Sequence, residues 1–361
     1  MKMSKRKVTA KDVAACAGVS ETTVSMILNG KGEHKFPEKT CRKVLIACEK
    51  LGYLHKIRTH EEIDKKLIAA ITPTMANMYY VQMLEEMQNR ASELGYSLLS
   101  FNTFRKTSQE IQILDMCSQI PIAGLLFLYP PENKTLFQQF NWTKPIIRIN
   151  DKNIGNDSDV FELDGFQIGR IIGEYLFKLA HKRVALVSST FDTNQVTRIR
   201  RLEGIRAVYQ EHGCDPEGSV LACSPEQELK HLKEIPKEYD LGYLIAKGLL
   251  ERHEAVTAFV GVNDMIAIGI MDAILDAGYR IPEDYSVCGC DNTCVTKYRG
   301  ISLTSVESYS KLTGREAVDM LVRKIDGDRG DLKPEENPNG ITKIEYFPRL
   351  IIRKTTGPCP K

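Results

Sequence analysis

The sequence predicts a small all-α helix-turn-helix head followed by an α/β body of two lobes, each a doubly wound parallel sheet. Three observations carry this expectation. Residues 1–60 hold 13 Lys/Arg against five Asp/Glu, whereas the other 301 residues hold 36 against 42, so a basic head precedes a mildly acidic body. In "VTAKDVAACAGVSETTVSMILNG" (8–30) a capped helix, a tight turn and a second capped helix follow one another. From Leu67 onward, short apolar runs alternate with amphipathic stretches.

The head's elements follow from local chemistry. Thr9 and Asp12 have capping-box spacing, which starts a helix at Ala10 that runs to Ala17. Gly18 can take the left-handed conformation that ends it, and Ser20 can cap the next helix. In that second helix Val24, Ile27 and Leu28 form the buried face, leaving Thr22, Met26 and Asn29 on the opposite side, flanked by Glu21 and Ser25. A third helix opens at Pro37, is expected to turn Cys41, Val44, Leu45, Cys48 and Leu51 inward, and stops at Gly52. A plain helical hairpin has a similar turn. The economy of "AGVS", the exposed Ser/Thr/Asn face and the surplus of eight positive charges favour DNA binding over packing alone.

In the body, "LIAAITP" leads to a helix near 78–94, "YSLLSF" to one near 108–118, "IAGLLFL" to one near 133–140, and then comes "KPIIRIN". A second series starts with the helix after "FELDG" and runs through "RVALVSS", helix 196–212, "GSVLAC", "AVTAFVGV", helix 264–277 and "DYSVCGC". Ligands of such sheets bind beyond the strand carboxyl ends, so two facing lobes place one ligand between them. Polar residues recur at those ends: Thr72 and Asn77, Asn150 and Asp151, Ser188 and Ser189, Asn263 and Asp264, Asp291 and Asn292. Each is also an ordinary helix cap, and it is the recurrence that points to a ligand.

At 361 residues the chain suggests two or three folding units. Its apolar runs are far shorter than the roughly 20 residues of a membrane span, and the basic Met1–Lys7 is not followed by an apolar segment, so a cytoplasmic protein is expected. The ten cysteines are read as reduced thiols. Cys288 and Cys290 alternate along an apolar strand rather than at zinc-ligand spacing, so neither metal nor cofactor is expected.

The stretch "VTAKDVAACAGVSETTVSMILNG" with "TCRKVLIACEKLGY" resembles the headpiece of the lactose-repressor (LacI/GalR) family of bacterial transcription regulators. The resemblance continues in "ANMYY", "RRLEG", "VGVNDMIAIGIMDAI", "IPEDYSVCGCDN", "ISLTSV" and "YFPRLIIRKTT". It implies a body like the type I periplasmic binding proteins, a homodimer on pseudo-palindromic double-stranded DNA, and a small-molecule effector. By this match Glu21, Thr22 and Met26 read base edges; Thr9, Ser20, Thr23, Ser25 and Asn29 meet phosphates; and Tyr79, Tyr80, Asn150, Arg201, Asn263 and Asp291 hold the effector. Expected boundaries are 1–56 for the headpiece, 57–66 for a linker, and 67–361 for the core. Within the core, one lobe takes 67–163 with 308–325 and the other 164–293 with 326–361.

The effector residues suit a polyol. Arg201 offers a planar fork to vicinal hydroxyls, Asn263 and Asp291 exchange hydrogen bonds, and a tyrosine stacks on a sugar face. A purine, a phosphorylated metabolite or a protein co-repressor fits the same parts. Arg201 also has a plainer reading, a surface salt bridge within "RIRR".

The connector departs from the family. The resemblance implies a Pro-Asn pair and then a hinge helix whose leucine wedges into the minor groove. Here His55 and Lys56 hold the first positions, and the leucine position falls on or beside Glu62. Glu61 and Glu62 oppose insertion between phosphates, while Ile63 substitutes only if the register slips by one. DNA gripped mainly in the major groove and bent little is therefore expected.

Two other classes compete. A solute-binding protein would carry a secretion signal and lack the basic head. An enzyme is disfavoured because no Gly-x-Gly-x-x-Gly, Gly-x-Ser-x-Gly, P-loop or His-Glu-x-x-His motif is present.

Overall fold

The computed structural model describes residues 8–28, 35–51, 53, 67–133, 135–149, 159–191, 196–228, 237–327 and 342–360. The chain divides into two compact units, residues 1–65 and 66–361.

In the first unit α1 (Ala10–Ala17), α2 (Glu21–Leu28) and α3 (Glu38–Leu51) surround a core of Val13, Ala14, Ala17, Val24, Val44 and Ala47. The Asp12 carboxylate accepts from the Thr9 amide at 2.8 Å and from its hydroxyl at 2.7 Å. Gly18 ends α1 at φ 68°, a conformation that a side chain would disfavour, and this frees the chain to turn at once into α2. Ser20 Oγ then accepts from the Thr23 amide at 3.1 Å. One expectation fails in α3: Leu45 is 56% exposed, and Ala47 lies in the core in its place. The inward stripe follows Val44, Ala47, Cys48 and Leu51, and Leu45 stands about 100° around the helix from Val44.

Among its described residues the second unit contains two six-stranded sheets. The first orders as β11-β5-β4-β3-β1-β2, using β1 (Leu67–Thr72), β2 (Ser97–Asn102), β3 (Gly124–Phe127), β4 (Ile146–Ile149), β5 (Asp159–Leu163) and β11 (Lys343–Tyr346), all parallel. The second orders as β12-β10-β9-β8-β6-β7, from β6 (Val184–Val187), β7 (Val220–Cys223), β8 (Ala258–Gly261), β9 (Ser286–Asp291), β10 (Thr304–Glu307) and β12 (Arg349–Ile351). Among the described residues only β12 runs antiparallel to its neighbour. Around the first sheet lie α4 (Met78–Glu93) and α5 (Thr107–Gln119); around the second lie α6 (Gly165–Lys178), α7 (Val196–Glu211), α8 (Glu238–Glu251) and α9 (Asp264–Asp276).

After β10 the chain returns to the first lobe as α10 (Ser310–Ile325), which packs on α4 through Arg90–Asp319 and Arg315–Glu93 ion pairs. The expected assignment of all of 326–361 to the second lobe needs correction. Lys343–Tyr346 extends the first sheet beside β5, with Lys343 Nζ 2.7 Å from Glu162 and Tyr346 stacked on Phe161. The crossing to the second sheet occurs at Phe347–Pro348, where proline cannot donate to a ladder. "YFPRLIIRKTT" reads as one closing strand, but its Tyr346 ends an edge strand of the first sheet and its Arg349–Ile351 forms an edge strand of the second.

Helices α6 and α7 touch backbone to backbone. A Cβ added at Gly169 would lie 2.1 Å from the Arg201 carbonyl oxygen, so no side chain fits unless the helices part. Gly169→Ala is therefore expected to destabilise the body by about 1–3 kcal/mol, the usual range for overpacking. Urea unfolding measures this, and an unchanged midpoint would show that α7 yields freely.

Candidate functional site

On the headpiece, Glu21, Thr22 and Ser25 are exposed on one side of α2, with Met26 half-buried beside them. Thr9 and Ser20 are exposed at the starts of α1 and α2, and the Ser20 and Thr23 hydroxyls lie 2.8 Å apart. Asn29 lies outside the described residues, as do His55, Lys56, Glu61, Glu62 and Ile63 of the connector. Helix α2 thus presents an acid, two hydroxyls and a thioether, while Val24 anchors its other face at 0% exposure.

In the body a cavity open to solvent lies where strand ends of the two sheets meet. Five of the six expected effector residues line it: Tyr79, Tyr80, Arg201, Asn263 and Asp291. The sixth, Asn150, lies outside the described residues. Arg105, Tyr129, Arg198 and Glu238 also line the cavity and were not singled out in the sequence.

Asn77 and Asn263 are helix caps and cleft residues together. Asn77 Oδ1 accepts from the Tyr79 amide at 2.9 Å, and Asn263 Oδ1 accepts from the Ile266 amide at 2.9 Å. Each side chain then has its amide nitrogen left to donate. Asn77 Nδ2 reaches Glu238 Oε2 at 2.8 Å, and Asn263 Nδ2 reaches Oε1 at 2.7 Å. Glu238, at the start of α8, thereby ties the first lobe's α4 to the second lobe's α9. A second tie runs from the Cys294 amide to Gln82 Oε1 at 2.9 Å.

Arg201 is 8% exposed, so it is not the surface ion pair that "RIRR" also allows; that place is held by Arg200, bonded to Glu203 at 2.8 Å. Its Nη1 donates to the Val262 carbonyl, and its Nε is buried without a partner among the described residues. Arg198 Nη1 donates to Ser189 Oγ. Asp291 ends β9 with φ 112° and is followed by Asn292 at φ 48°. Burial, then the neighbouring Asp264, pushes the Asp291 carboxyl well above the usual carboxylate range, which favours its uncharged form. Asn292 serves the scaffold: it donates to Glu307 at 2.6 Å and accepts from Arg353 at 2.5 Å.

Arg105 follows β2 and lies over the Tyr129 ring at 5.1 Å. The Tyr129 hydroxyl donates to Glu110 at 2.6 Å, and Glu110 also accepts from the amides of Glu132 and Asn133, so the ring is fixed from behind. Tyr79 and Tyr80 meet edge to face at 5.0 Å. The same strand-end rule that selects Asn263 and Asp291 reaches Arg105 and Tyr129 just beyond β2 and β3. Glu238 gives no such signal, because it enters from a helix start.

Cys288 and Cys290 are buried thiols of β9, and burial raises Cys290 to about 12, which suits core packing. No helix among the described residues is long and apolar enough to cross a membrane.

Comparison with known proteins places these two units. Residues 9–55 match the model of bacterial regulatory proteins of the lacI family, and residues 174–356 match the periplasmic binding protein-like domain. The HTH-type transcriptional repressor PurR of Mannheimia succiniciproducens is 28% identical over 352 residues, covering 96% of this chain and 98% of that relative. Two solved structures share the fold at a TM-score of 0.66. The transcriptional regulator CelR in complex with cellobiose is 21% identical, over 96% of this chain and 99% of its own. The lac repressor dimer bound to operator and an anti-inducer is 23% identical, over 98% and 100%.

Proposed function

The chain belongs to the lacI family of bacterial regulatory proteins and is by that membership a DNA-binding transcription regulator, and from this premise we propose which of its residues read DNA and which hold the effector. Two copies of α2 enter successive major grooves of a pseudo-palindromic operator, as the two-fold symmetry of a homodimer requires. Glu21 accepts from a cytosine amino group, Thr22 uses its hydroxyl or methyl, and Met26 packs on a thymine methyl. Thr9, Ser20, Thr23, Ser25 and Asn29 fix the register on phosphates.

The cleft binds a small polyol-like effector, with sugars first, and its closure decides whether the two headpieces fit their half-sites. The observation that carries this reading is the Glu238 tie, which joins Asn77 of one lobe to Asn263 of the other at the wall of the cavity. A ligand that displaces or reinforces those bonds has different affinities for the open and closed lobes. Such a difference is what a regulatory ligand needs. PurR is named a repressor and CelR was solved with cellobiose, which supports repression and a carbohydrate class here.

The test is fluorescence anisotropy of the full chain on DNA selected from a random pool, with and without sugars and nucleobases. Reciprocal coupling is expected: a ligand that shifts DNA affinity binds more or less tightly by the same factor when DNA is present. A selected site unaffected by every cleft ligand would remove the regulatory role of the cleft.

The recognition helix lacks arginine, so guanine is expected to matter little in the selected half-site. Met26→Arg should shift preference toward guanine at one position per half-site, with about 1–3 kcal/mol of discrimination from a bidentate contact. Repeating the selection with the variant measures it, and an unchanged motif would mean α2 does not dock this way.

A further inference from the structure

Among the described residues, the charges lining the cleft do not balance. Three guanidiniums line it, from Arg105, Arg198 and Arg201. Arg105 faces Glu132 at 3.3 Å. Among the described residues, Arg198 and Arg201 donate to neutral oxygens, the Ser189 hydroxyl and the Val262 carbonyl, and Arg201 Nε has no partner. Of the two acids among the described lining residues, Glu238 has both oxygens engaged by side-chain amides, and Asp291 is held toward its uncharged form. Burial lowers Arg198 and the nearby Arg105 and Arg201 lower it further, against the pull of Glu238, which is the expected effect of like charges gathered in a partly enclosed space.

The backbone adds an independent sign. Phe104 and Arg105 take φ of 52° and 54°, two successive side-chain-bearing residues in the left-handed region. Such strain tends to persist where a function requires it. Its result here inverts the usual order of burial: Phe104 is 65% exposed, while Arg105 is drawn over Tyr129 at the cavity wall.

We propose that the effector carries an acidic group, a phosphate ester or a carboxylate, held between Arg105 and Arg198, with its uncharged polyol body on Arg201, Asn263 and Asp291. This rests on the cleft being the effector site. The anion supplies the counter-charge that the described lining lacks, and guanidinium forks match the oxygens of either group.

The test uses the full chain in thermal-shift and calorimetric titrations. The first probe is inorganic phosphate against chloride at equal ionic strength. Saturable stabilisation by phosphate is expected in the parent protein and in Arg198→Lys, with affinity lost by about 10-fold or more in Arg105→Gln and Arg198→Gln, the loss of one charge-assisted contact. Arg200→Gln, next to the site but exposed, should behave as the parent. The second probe pairs glucose with glucose 6-phosphate and glucuronate, and ribose with ribose 5-phosphate. The acidic members should bind at least about 10-fold tighter than their neutral parents, and phosphate against carboxylate distinguishes the two anions.

Phosphate acting no better than chloride, or its effect surviving both glutamine variants, would overturn the proposal. If neutral sugars bind in the cleft while phosphate does not, the effector reading stands and this one falls. If neither phosphate nor any sugar acts and DNA affinity is indifferent to all ligands, both fall. Should a glutamine variant fail to fold, the lysine variant and the neutral-against-acidic pairs still decide.

Discussion

Replacing Arg201 by glutamine is expected to weaken effector binding by about 100-fold, because two charge-assisted hydrogen bonds of about 1.5 kcal/mol or more each are lost from a buried site. Its geometry concentrates that effect. The side chain is anchored by its own bond to the Val262 carbonyl, just past β8, it lines the cavity, and its buried Nε has no partner among the described residues. Its ordering is thus complete before a ligand arrives, and little affinity is forfeited to freezing it. Calorimetric titration with the ligand found by screening measures the loss, and a parallel melt separates it from a general loss of fold. A change below about threefold, roughly the scale of an exposed ion pair, would move the site away from α7.

Asp264 should give the second large effect, on stability and on its pH dependence. It is 1% exposed, accepts from the Thr293 amide at 2.7 Å, the Thr293 hydroxyl at 2.8 Å and the Ser305 hydroxyl at 2.5 Å, and is raised by burial to about 6 from an ordinary 3.8. The sign follows from linkage. The folded state holds this proton more tightly than the unfolded chain does, so the group's contribution is fullest below about pH 4 and is lost as pH rises from about 4 to about 6. A shift of about two units corresponds to about 3 kcal/mol.

Asp264→Asn removes the titration, keeps an acceptor for Thr293, and can donate to Ser305. It should therefore be less sensitive to pH between 4 and 6 than the parent. Asp264→Ala leaves the Thr293 amide without an acceptor and should cost about 1–3 kcal/mol at every pH. Urea unfolding at several pH values reads both variants; equal loss in both, with the parent's pH dependence retained, would show that the carboxylate charge does not matter there. Because Asp264 raises Asp291, the asparagine variant should also let Asp291 ionise at lower pH.

Local chemistry was legible where one segment decides its own structure. Thr9 with Asp12, Gly18 and Ser20 lie within a dozen residues, and their caps and turn form in the structure as their spacing implies. Alternating apolar runs likewise marked β1 to β4 of the first sheet and β6 to β9 of the second. Leu45 was misplaced because an apolar residue on a short helix is compatible with either flank of the buried stripe, and only the position of α1 chooses. Helix α8 and its Glu238 stayed hidden because that residue becomes a cleft residue only through partners 161 and 25 positions away.

The sequence by itself determined the two-part organisation, the helix-turn-helix and the candidates at strand ends, because capping, turn formation and hydrophobic period are short-range. The tertiary structure decided the rest. It placed Arg201 inside and Arg200 outside, gave Asn77 and Asn263 their second role, divided the last strands between the two sheets, and drew Arg105 and Arg198 into one cavity. Burial and electrostatic coupling depend on which distant segments meet, and that is set by how the chain crosses between its lobes.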